Sequence, residues 1–361
     1  MLYFLSSFLV YKLHILNVFR YITFRSICAV FTSFLFSLLL GPGVIKLLKE
    51  IQKDGQPIRE DGPKTHLSKI GTPTMGGILI MGSALLSILL WANLANYYIW
   101  LLTGVMLGYG ILGFCDDYLK LKCRSAKGIS GKNKLVWQFS LGIITSMTIS
   151  YLDKTATNTT LALPFFKDVV INLYWFYFIF ASIVIVGSSN AVNLTDGLDG
   201  LAMGPIITVL GCFALISYIV GNLIFADYLQ LHYVNKAGEI TVLCAALIGS
   251  GLGFLWYNAP PAKIFMGDVG SLSLGAVLGT VSVITKHEIV LFFTGGLFVI
   301  EAVSVILQVG SYKLRKRRIF HMAPIHHHFE KLGWSESTIV MRFWILAILF
   351  ALIGLSTLKL R

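Results

Sequence analysis

Charged residues are scarce in this sequence, where they make up 13% of 361 residues, whereas a typical soluble domain has about 25%. Hydrophobic residues make up 56%, so there is too little polar surface to cover a water-facing globule of this size. The five cysteines show no CxxC spacing, which argues against a structural zinc site. These shortages exclude a soluble enzyme, a disordered chain and a secreted disulfide scaffold. They leave an all-α polytopic membrane protein.

Apolar runs long enough to cross a bilayer follow one another along the chain. A spanning helix needs about 20 mostly apolar residues. Residues 1–22 are too interrupted by charge to span, and we expect them to form an interfacial helix. The whole of 1–361 is expected to be a single integral membrane domain. Ten segments qualify as transmembrane helices: roughly 23–48, 75–95, 97–115, 135–152, 171–189, 201–221, 240–257, 269–285, 288–311 and 337–358.

The positive charge is unevenly distributed between the loops. The chain carries 29 Lys+Arg and 17 Asp+Glu, a net charge of +12. Ten spans put every second loop on one side, and 19 of the 29 cations fall in those five loops, near 46–74, 116–134, 189–200, 258–268 and 312–336. The positive-inside rule makes these loops cytoplasmic and both termini periplasmic. The basic charge therefore indicates topology, and no nucleic-acid partner is predicted.

Adjacent carboxylates, Asp116 and Asp117, are predicted at the cytoplasmic mouth of the third span. Carboxylates at a helix C-terminus oppose the helix dipole, so a nearby metal ion or lysine is expected to stabilise them. Metal binding or acid–base chemistry is favoured over a solvated helix end.

The third cytoplasmic loop carries a polar residue at every third position: Asn190, Asn193, Asp196 and Asp199. On a helix, residues three apart are neighbours on one face. Such a face suits contacts to a sugar, a base or magnesium, and a capping network is the alternative.

Asp268 lies between glycines just before an apolar run in the fourth loop. It is a candidate helix N-cap, or a site where a phosphate approaches backbone donors. Phe265 and Asn258 could stack on a base and hydrogen-bond to it.

Three consecutive histidines, His326, His327 and His328, occupy the fifth loop. Consecutive side chains point in different directions, so they cannot readily share one metal, and phosphate recognition or proton transfer is favoured. In the ninth span, Glu301 and Gln308 are seven residues apart and share a face. An intramembrane carboxylate is either paired or part of the site.

Five motifs together resemble the polyprenyl-phosphate N-acetylhexosamine-1-phosphate transferases, also called glycosyltransferase family 4. Their order matches along essentially the whole chain, and PIHHHFE favours the phospho-N-acetylmuramoyl-pentapeptide transferases among them. The motifs are TPTMGG (72–77), DDYLK (116–120), NLTDGLDGLA (193–202), FMGDVGS (265–271) and PIHHHFE (324–330).

The resemblance implies transfer of phospho-N-acetylmuramoyl-pentapeptide from UDP-MurNAc-pentapeptide to undecaprenyl phosphate in the bacterial inner membrane. The products are lipid I and UMP, in the first membrane step of peptidoglycan synthesis. It also implies a homodimer, and Mg²⁺ on Asp268 with the catalytic Asp116 and Asp117 nearby. The implied substrate-binding residues are Lys69, Asp196, Asp199, Asn258 and Phe265 around uridine diphosphate, Lys120 and Lys132 at phosphates, and His326, His327 and His328 at the sugar or phosphate side. Asn190 and Asn193 are further substrate-binding candidates because of their spacing in the third loop.

Two alternatives remain at this point. A sibling enzyme would transfer GlcNAc-1-phosphate instead, and PIHHHFE argues against it. An ion-coupled transporter would place its acids near mid-bilayer, whereas here only Glu301 is well inside a span.

The acceptor of the implied transfer is a phosphate monoester, which has a second pKa near 6 and is mostly a dianion at pH 7. It needs little general base, which favours its direct attack on the nucleotide substrate.

Overall fold

The computed structural model describes residues 1–10, 14–52, 69, 71–123, 128–153, 158–163 and 170–358. In this part of the chain, helices dominate. Two 3₁₀ segments, His14–Arg20 and Ala237–Glu239, and one antiparallel hairpin of β1 (Thr160–Ala162) and β2 (Val170–Asn172) complete the regular structure. The helices are α1 (Leu2–Leu9), α2 (Ile22–Gln52), α3 (Gly77–Trp91), α4 (Tyr97–Lys122), α5 (Gly131–Leu152), α6 (Phe176–Thr195), α7 (Met203–Val220), α8 (Leu223–Leu229), α9 (Ile240–Asn258), α10 (Gly267–Ile284), α11 (Glu288–Thr294), α12 (Gly296–Arg315), α13 (Ile325–Lys331) and α14 (Glu336–Ser356).

The described residues confirm an all-α polytopic membrane protein. Nine helices among them are long and apolar enough to cross a membrane, and the second predicted span is the shorter apolar helix α3. The predicted interfacial segment contains α1 and the 3₁₀ turn His14–Arg20 in place of one continuous helix. Its interfacial placement and the side on which the termini lie stay predictions.

Several element boundaries differ from those predicted. The ninth span is broken, because α11 ends at Thr294 and α12 begins at Gly296. Glycine is a poor helix former, and a Cβ on Gly296 would lie 2.6 Å from the Phe350 ring. α4 continues past residue 115 to Lys122, and α6 continues past 189 to Thr195, so their polar ends are helical rather than looped. The hairpin ahead of α6 was not predicted.

Helix α10 lies at the centre, where it packs against α4 and α6 and is buried from Val269 to Ile284. Its neighbours approach closely because glycines line the contacts. A Cβ on Gly113 of α4 would lie 2.2 Å from the backbone oxygen of Asp268, and one on Gly275 would lie 2.7 Å from that of Ser188. Close backbone approach of this kind is typical of small residues in membrane helices. It brings the start of α10 beside the ends of α4 and α6.

Candidate active site

Three aspartates meet where α4 ends and α10 begins. Asp116 and Asp117 are 3% and 0% exposed, and Asp268 is the second residue of α10. The three carboxylates offer ligand oxygens within 4.8 Å of one another. Met266, not Asp268, is the N-cap of α10, so the capping alternative for Asp268 is wrong. The helix dipole nevertheless favours a negative charge in this first turn.

Two lysines neutralise this aspartate cluster. Lys120 places its Nζ 2.6 Å from Asp116 Oδ2 and 3.1 Å from Asp268 Oδ2. A longer contact of 3.5 Å joins the same Nζ to Asp117 Oδ1. Lys134 places its Nζ 2.7 Å from Asp268 Oδ2 and 3.8 Å from Asp116 Oδ2. The two ammonium groups offset most of the negative charge that the three carboxylates can carry, which makes the buried group tolerable.

The family resemblance implied Lys132 at a phosphate, but the structure brings Lys134 to the aspartates. Lys132 is exposed at the second residue of α5. Lys134 and Gln138 are four residues apart and therefore share a face. Gln138 is buried, and its Oε1 accepts a hydrogen bond of 2.9 Å from Asn190. The only sequence signal for Lys134 is a glutamine one turn later within the apolar run, and its burial in the structure shows that this face points inward.

Backbone and amide donors hold the aspartate oxygens in place. Asn193 Nδ2 donates to Asp268 Oδ1 and to Ser271 Oγ, at 2.8 Å each. The backbone N–H of Ile129 donates to Asp116 Oδ1 at 2.8 Å. Val269 donates its N–H to Asp117 Oδ2 at 3.4 Å. The cluster is thus preorganised by groups from two helices, α6 and α10, and from the segment before α5.

The four regularly spaced polar residues do not share one helix face. Asn190 and Asn193 lie on α6, which ends at Thr195. Asn190 Nδ2 donates to Gln138 Oε1 at 2.9 Å and to the Val186 carbonyl at 2.8 Å. The bond to Gln138 joins α6 to α5. Asp196 and Asp199 follow in the turn beyond the helix.

Asp196 carries a strongly displaced pKa. Withdrawal from water raises the pKa of Asp196 to about 8, and the negative charge of Asp268 adds to this effect. Asp117 and Asp199 act in the same direction, whereas a backbone hydrogen bond from Gly267 opposes it. Asp196 is therefore mostly protonated near pH 7 and can donate a hydrogen bond.

A second ionic group surrounds Lys69. Its Nζ lies 2.7 Å from Asp199 Oδ1 and 2.7 Å from Glu336 Oε2. Burial alone would lower the pKa of Lys69, but these two hydrogen bonds outweigh it and raise the pKa. The other oxygen of Asp199 accepts the N–H of Ala262 at 3.0 Å. Glu336 was not predicted, although a carboxylate in the first turn of the last span was visible in the sequence.

Asn258 and Phe265 form the frame of the fourth loop. Asn258 is buried, accepts the N–H of Gly200 at 3.0 Å and donates to the Ile264 carbonyl at 2.8 Å. Phe265 is half-buried. Its backbone N–H donates to the Pro73 carbonyl at 2.8 Å, which ties this loop to the TPTMGG motif.

The three histidines face different partners. His326 is fully buried, with Nδ1 3.0 Å from Glu301 Oε1, so the intramembrane carboxylate is paired. A Cβ on Gly197 would lie 2.2 Å from His326 Nε2, so α13 packs directly on the third loop. His327 Nδ1 lies 2.5 Å from Glu330 Oε2.

His328 turns a third way, because its Nδ1 accepts the backbone N–H of His321 at 3.2 Å. The Nδ1 atoms of the three histidines therefore have three different partners. Among the residues that the structure describes, only the aspartate cluster gathers three metal-ligating side chains. Carboxylate oxygens are the ligands that hard divalent cations prefer, so the residues present fit such an ion.

The aspartates and their partners combine hard oxygen ligands, two ammonium groups and neutral donors at the ends of membrane helices. This combination can bind and polarise phosphate groups. A protein-family model described as glycosyl transferase family 4 matches residues 99–286, just over half of the chain. The match runs from α4 to the end of α10 and includes all three aspartates. The chain therefore belongs to glycosyl transferase family 4, the membrane-embedded transferases that pass a sugar-1-phosphate group to a polyprenyl phosphate.

Proposed function

We propose that the chain is a phospho-N-acetylmuramoyl-pentapeptide transferase. It converts UDP-MurNAc-pentapeptide and undecaprenyl phosphate into lipid I and UMP, with Mg²⁺ as cofactor. The observation that carries the proposal is the packing of α13, which contains PIHHHFE, onto the third loop at Gly197. The proposal includes a homodimer in the bacterial inner membrane, one transferase domain over 1–361 and a site facing the cytoplasm.

The charges of the site support phosphoryl transfer between two anionic substrates. Lys120 and Lys134 form ion pairs with the aspartates, and their ammonium groups can turn toward phosphate oxygens. Because both flank the ends of spanning helices, the site is within reach of a lipid phosphate at the membrane boundary. A soluble nucleotide reaches the same point from the aqueous side.

The chain's own residues bind and orient the reacting groups. When bound, Mg²⁺ supplies positive charge to the diphosphate, and the aspartate cluster is where it would be held. A phosphate oxygen of undecaprenyl phosphate attacks the β-phosphorus, and the bond to UMP breaks with its electron pair leaving on UMP. Lys120 and Lys134 stabilise the charge that develops, while Asn193 fixes the orientation of Asp268.

The test is UMP release from purified protein in nanodiscs with Mg²⁺ and both substrates. Asp268→Asn should abolish it. Lys134→Gln should lower the rate about 10²–10³-fold, the usual effect of removing one preorganised charge donor. The exposed Lys122→Gln, outside the cluster, serves as the matched control and should leave the rate unchanged. Substantial activity in Asp268→Asn would overturn the metal assignment, and turnover of UDP-GlcNAc in place of the muramoyl substrate would favour the sibling enzyme.

Direct attack makes a separate prediction. If no covalent phospho-enzyme forms, labelled UMP cannot exchange into UDP-MurNAc-pentapeptide when polyprenyl phosphate is absent. The expected result is exchange only after undecaprenyl phosphate is added, because UMP then captures the lipid product in reverse. Exchange in carefully delipidated protein would require a carboxylate nucleophile and would contradict direct attack.

A further inference from the structure

The C-terminal part of α12, after Ser304, extends away from the buried core of the protein. Glu301, which pairs with His326, lies 14 residues before Arg315, so about 21 Å of helix runs beyond it. After Ser304, α12 contributes no buried residue. Its apolar side chains are exposed, and Leu314 is exposed by 86%. The hydrocarbon of a bilayer suits such a surface.

Five cations cluster where this helix ends: Lys313, Arg315, Lys316, Arg317 and Arg318, here called the basic turn. All five are exposed. None of them forms an ion pair with a carboxylate in the described part of the chain. Unpaired like charges repel one another, and a neighbouring anion relieves that repulsion.

The basic turn has a fixed shape. Gln308 Nε2 donates to the Phe320 carbonyl, and Gln308 Oε1 accepts the N–H groups of Ile319 and Phe320, all at 3.0 Å. Ser311 Oγ donates to the Arg317 carbonyl at 2.8 Å. These bonds fold the chain back along α12 after Lys316. The cations are therefore presented with little ordering left to do on binding.

We propose that the basic turn binds the headgroups of anionic phospholipids of the surrounding membrane. Charge complementarity requires an anionic partner, and the exposed Leu314 and Ile319 within and beside the turn require an apolar phase next to it. A lipid surface supplies both. A second copy of the chain is a poor partner, because it carries 29 Lys+Arg against 17 Asp+Glu. The inference concerns lipid binding and does not depend on the proposed transferase activity.

Titration of the full-length protein in neutral detergent with phosphatidylglycerol or phosphatidylcholine, followed by native mass spectrometry, tests the proposal. A cation near an anionic membrane surface contributes about 1 kcal/mol, which is about fivefold in affinity. The triple variant Arg315→Gln, Arg317→Gln, Arg318→Gln should therefore bind phosphatidylglycerol about 100-fold more weakly. Phosphatidylcholine binding should not change. The matched control, Lys46→Gln, Lys49→Gln, Lys122→Gln, removes the same charge from other exposed positions and should retain the preference.

Three results would overturn the proposal: unchanged phosphatidylglycerol affinity in the triple variant, an equal loss in the control, or loss of undecaprenyl phosphate binding with phosphatidylglycerol binding intact. The last would assign the basic turn to the acceptor substrate. Gln308→Ala keeps every charge but releases Ile319 and Phe320. It should weaken phosphatidylglycerol binding several-fold, and wild-type affinity would contradict a prearranged turn. Thermal melting of each variant verifies folding.

Discussion

Asp196 is a candidate site residue, just beyond the end of α6, whose charge state responds to pH. Its pKa of about 8 lies above the ordinary value of about 3.9, so the folded protein holds this proton more tightly than the unfolded chain. The contribution to stability is complete below about pH 4 and is lost as the pH rises through about 8. Ionisation at high pH adds a fourth negative charge next to Asp117, Asp199 and Asp268. Alkaline conditions should therefore destabilise the site itself.

We predict that the metal-free protein in EDTA becomes less stable between about pH 4 and pH 8, by at most about 1.4 kcal/mol per pH unit from this residue. Asp196→Asn cannot ionise and should flatten the dependence. Exposed Asp227→Asn, on α8, should leave it unchanged. Thermal midpoints across the pH series measure the effect. An equally steep decline over this pH range in Asp196→Asn would show that another group is responsible.

At the same scale, the sequence predicted the aspartates and a cation beside them, with Lys120 among the site residues, but it did not predict Lys134. Adjacent Asp116 and Asp117 signal a cation because of their position at a helix end. Which lysine serves them depends on the rotation of α5, and that is set by packing of Gln138 against Asn190. Glu336 was missed for a related reason, since its partner Lys69 lies far away along the chain.

At the scale of elements, hydropathy predicted the spans but overestimated the loops. α4 continues as a helix into its polar end because Lys120 pairs with Asp116 one turn before it. α6 continues to Thr195 because its Asn193 donates to Asp268 at the start of α10. The break between α11 and α12 follows from Gly295 and Gly296 and from close contact of Gly296 with Phe350 of α14. The glycines permit the break, but only the tertiary contact makes it necessary. The position of α13 on the third loop was not predictable from periodicity.

A substitution at Gly197 tests whether the contact between α13 and the third loop positions the histidine segment. A Cβ there would lie 2.2 Å from His326 Nε2, so Gly197→Ala should displace α13 and raise KM for UDP-MurNAc-pentapeptide more than it lowers kcat. Gly187→Ala, on α6 with open space around it, is the matched control and should behave as wild type. Steady-state kinetics with detergent-solubilised protein separate the two constants. Wild-type KM in Gly197→Ala would mean that the α13 contact does not serve the nucleotide substrate.

At the scale of the whole molecule, all the site residues gather at one end of the helices. The ends of α4, α6 and α9 meet the starts of α5 and α10 there, as alternation of the spans requires. The sequence predicted this common side from charge distribution, because the same five loops carry 19 of 29 cations. The geometry is independent of which membrane face that end occupies. Orientation therefore needs its own measurement.

Cys123 allows that measurement, since it is exposed just beyond α4 at the site end. If the site faces the cytoplasm, a membrane-impermeant maleimide should label Cys123 in inside-out vesicles but not in spheroplasts. Cys123→Ser removes this signal. In that background, Asn235→Cys, in the exposed turn before the 3₁₀ segment at Ala237, should be labelled in spheroplasts. The opposite labelling pattern would reverse the predicted topology and place the site where no cytoplasmic nucleotide could reach it.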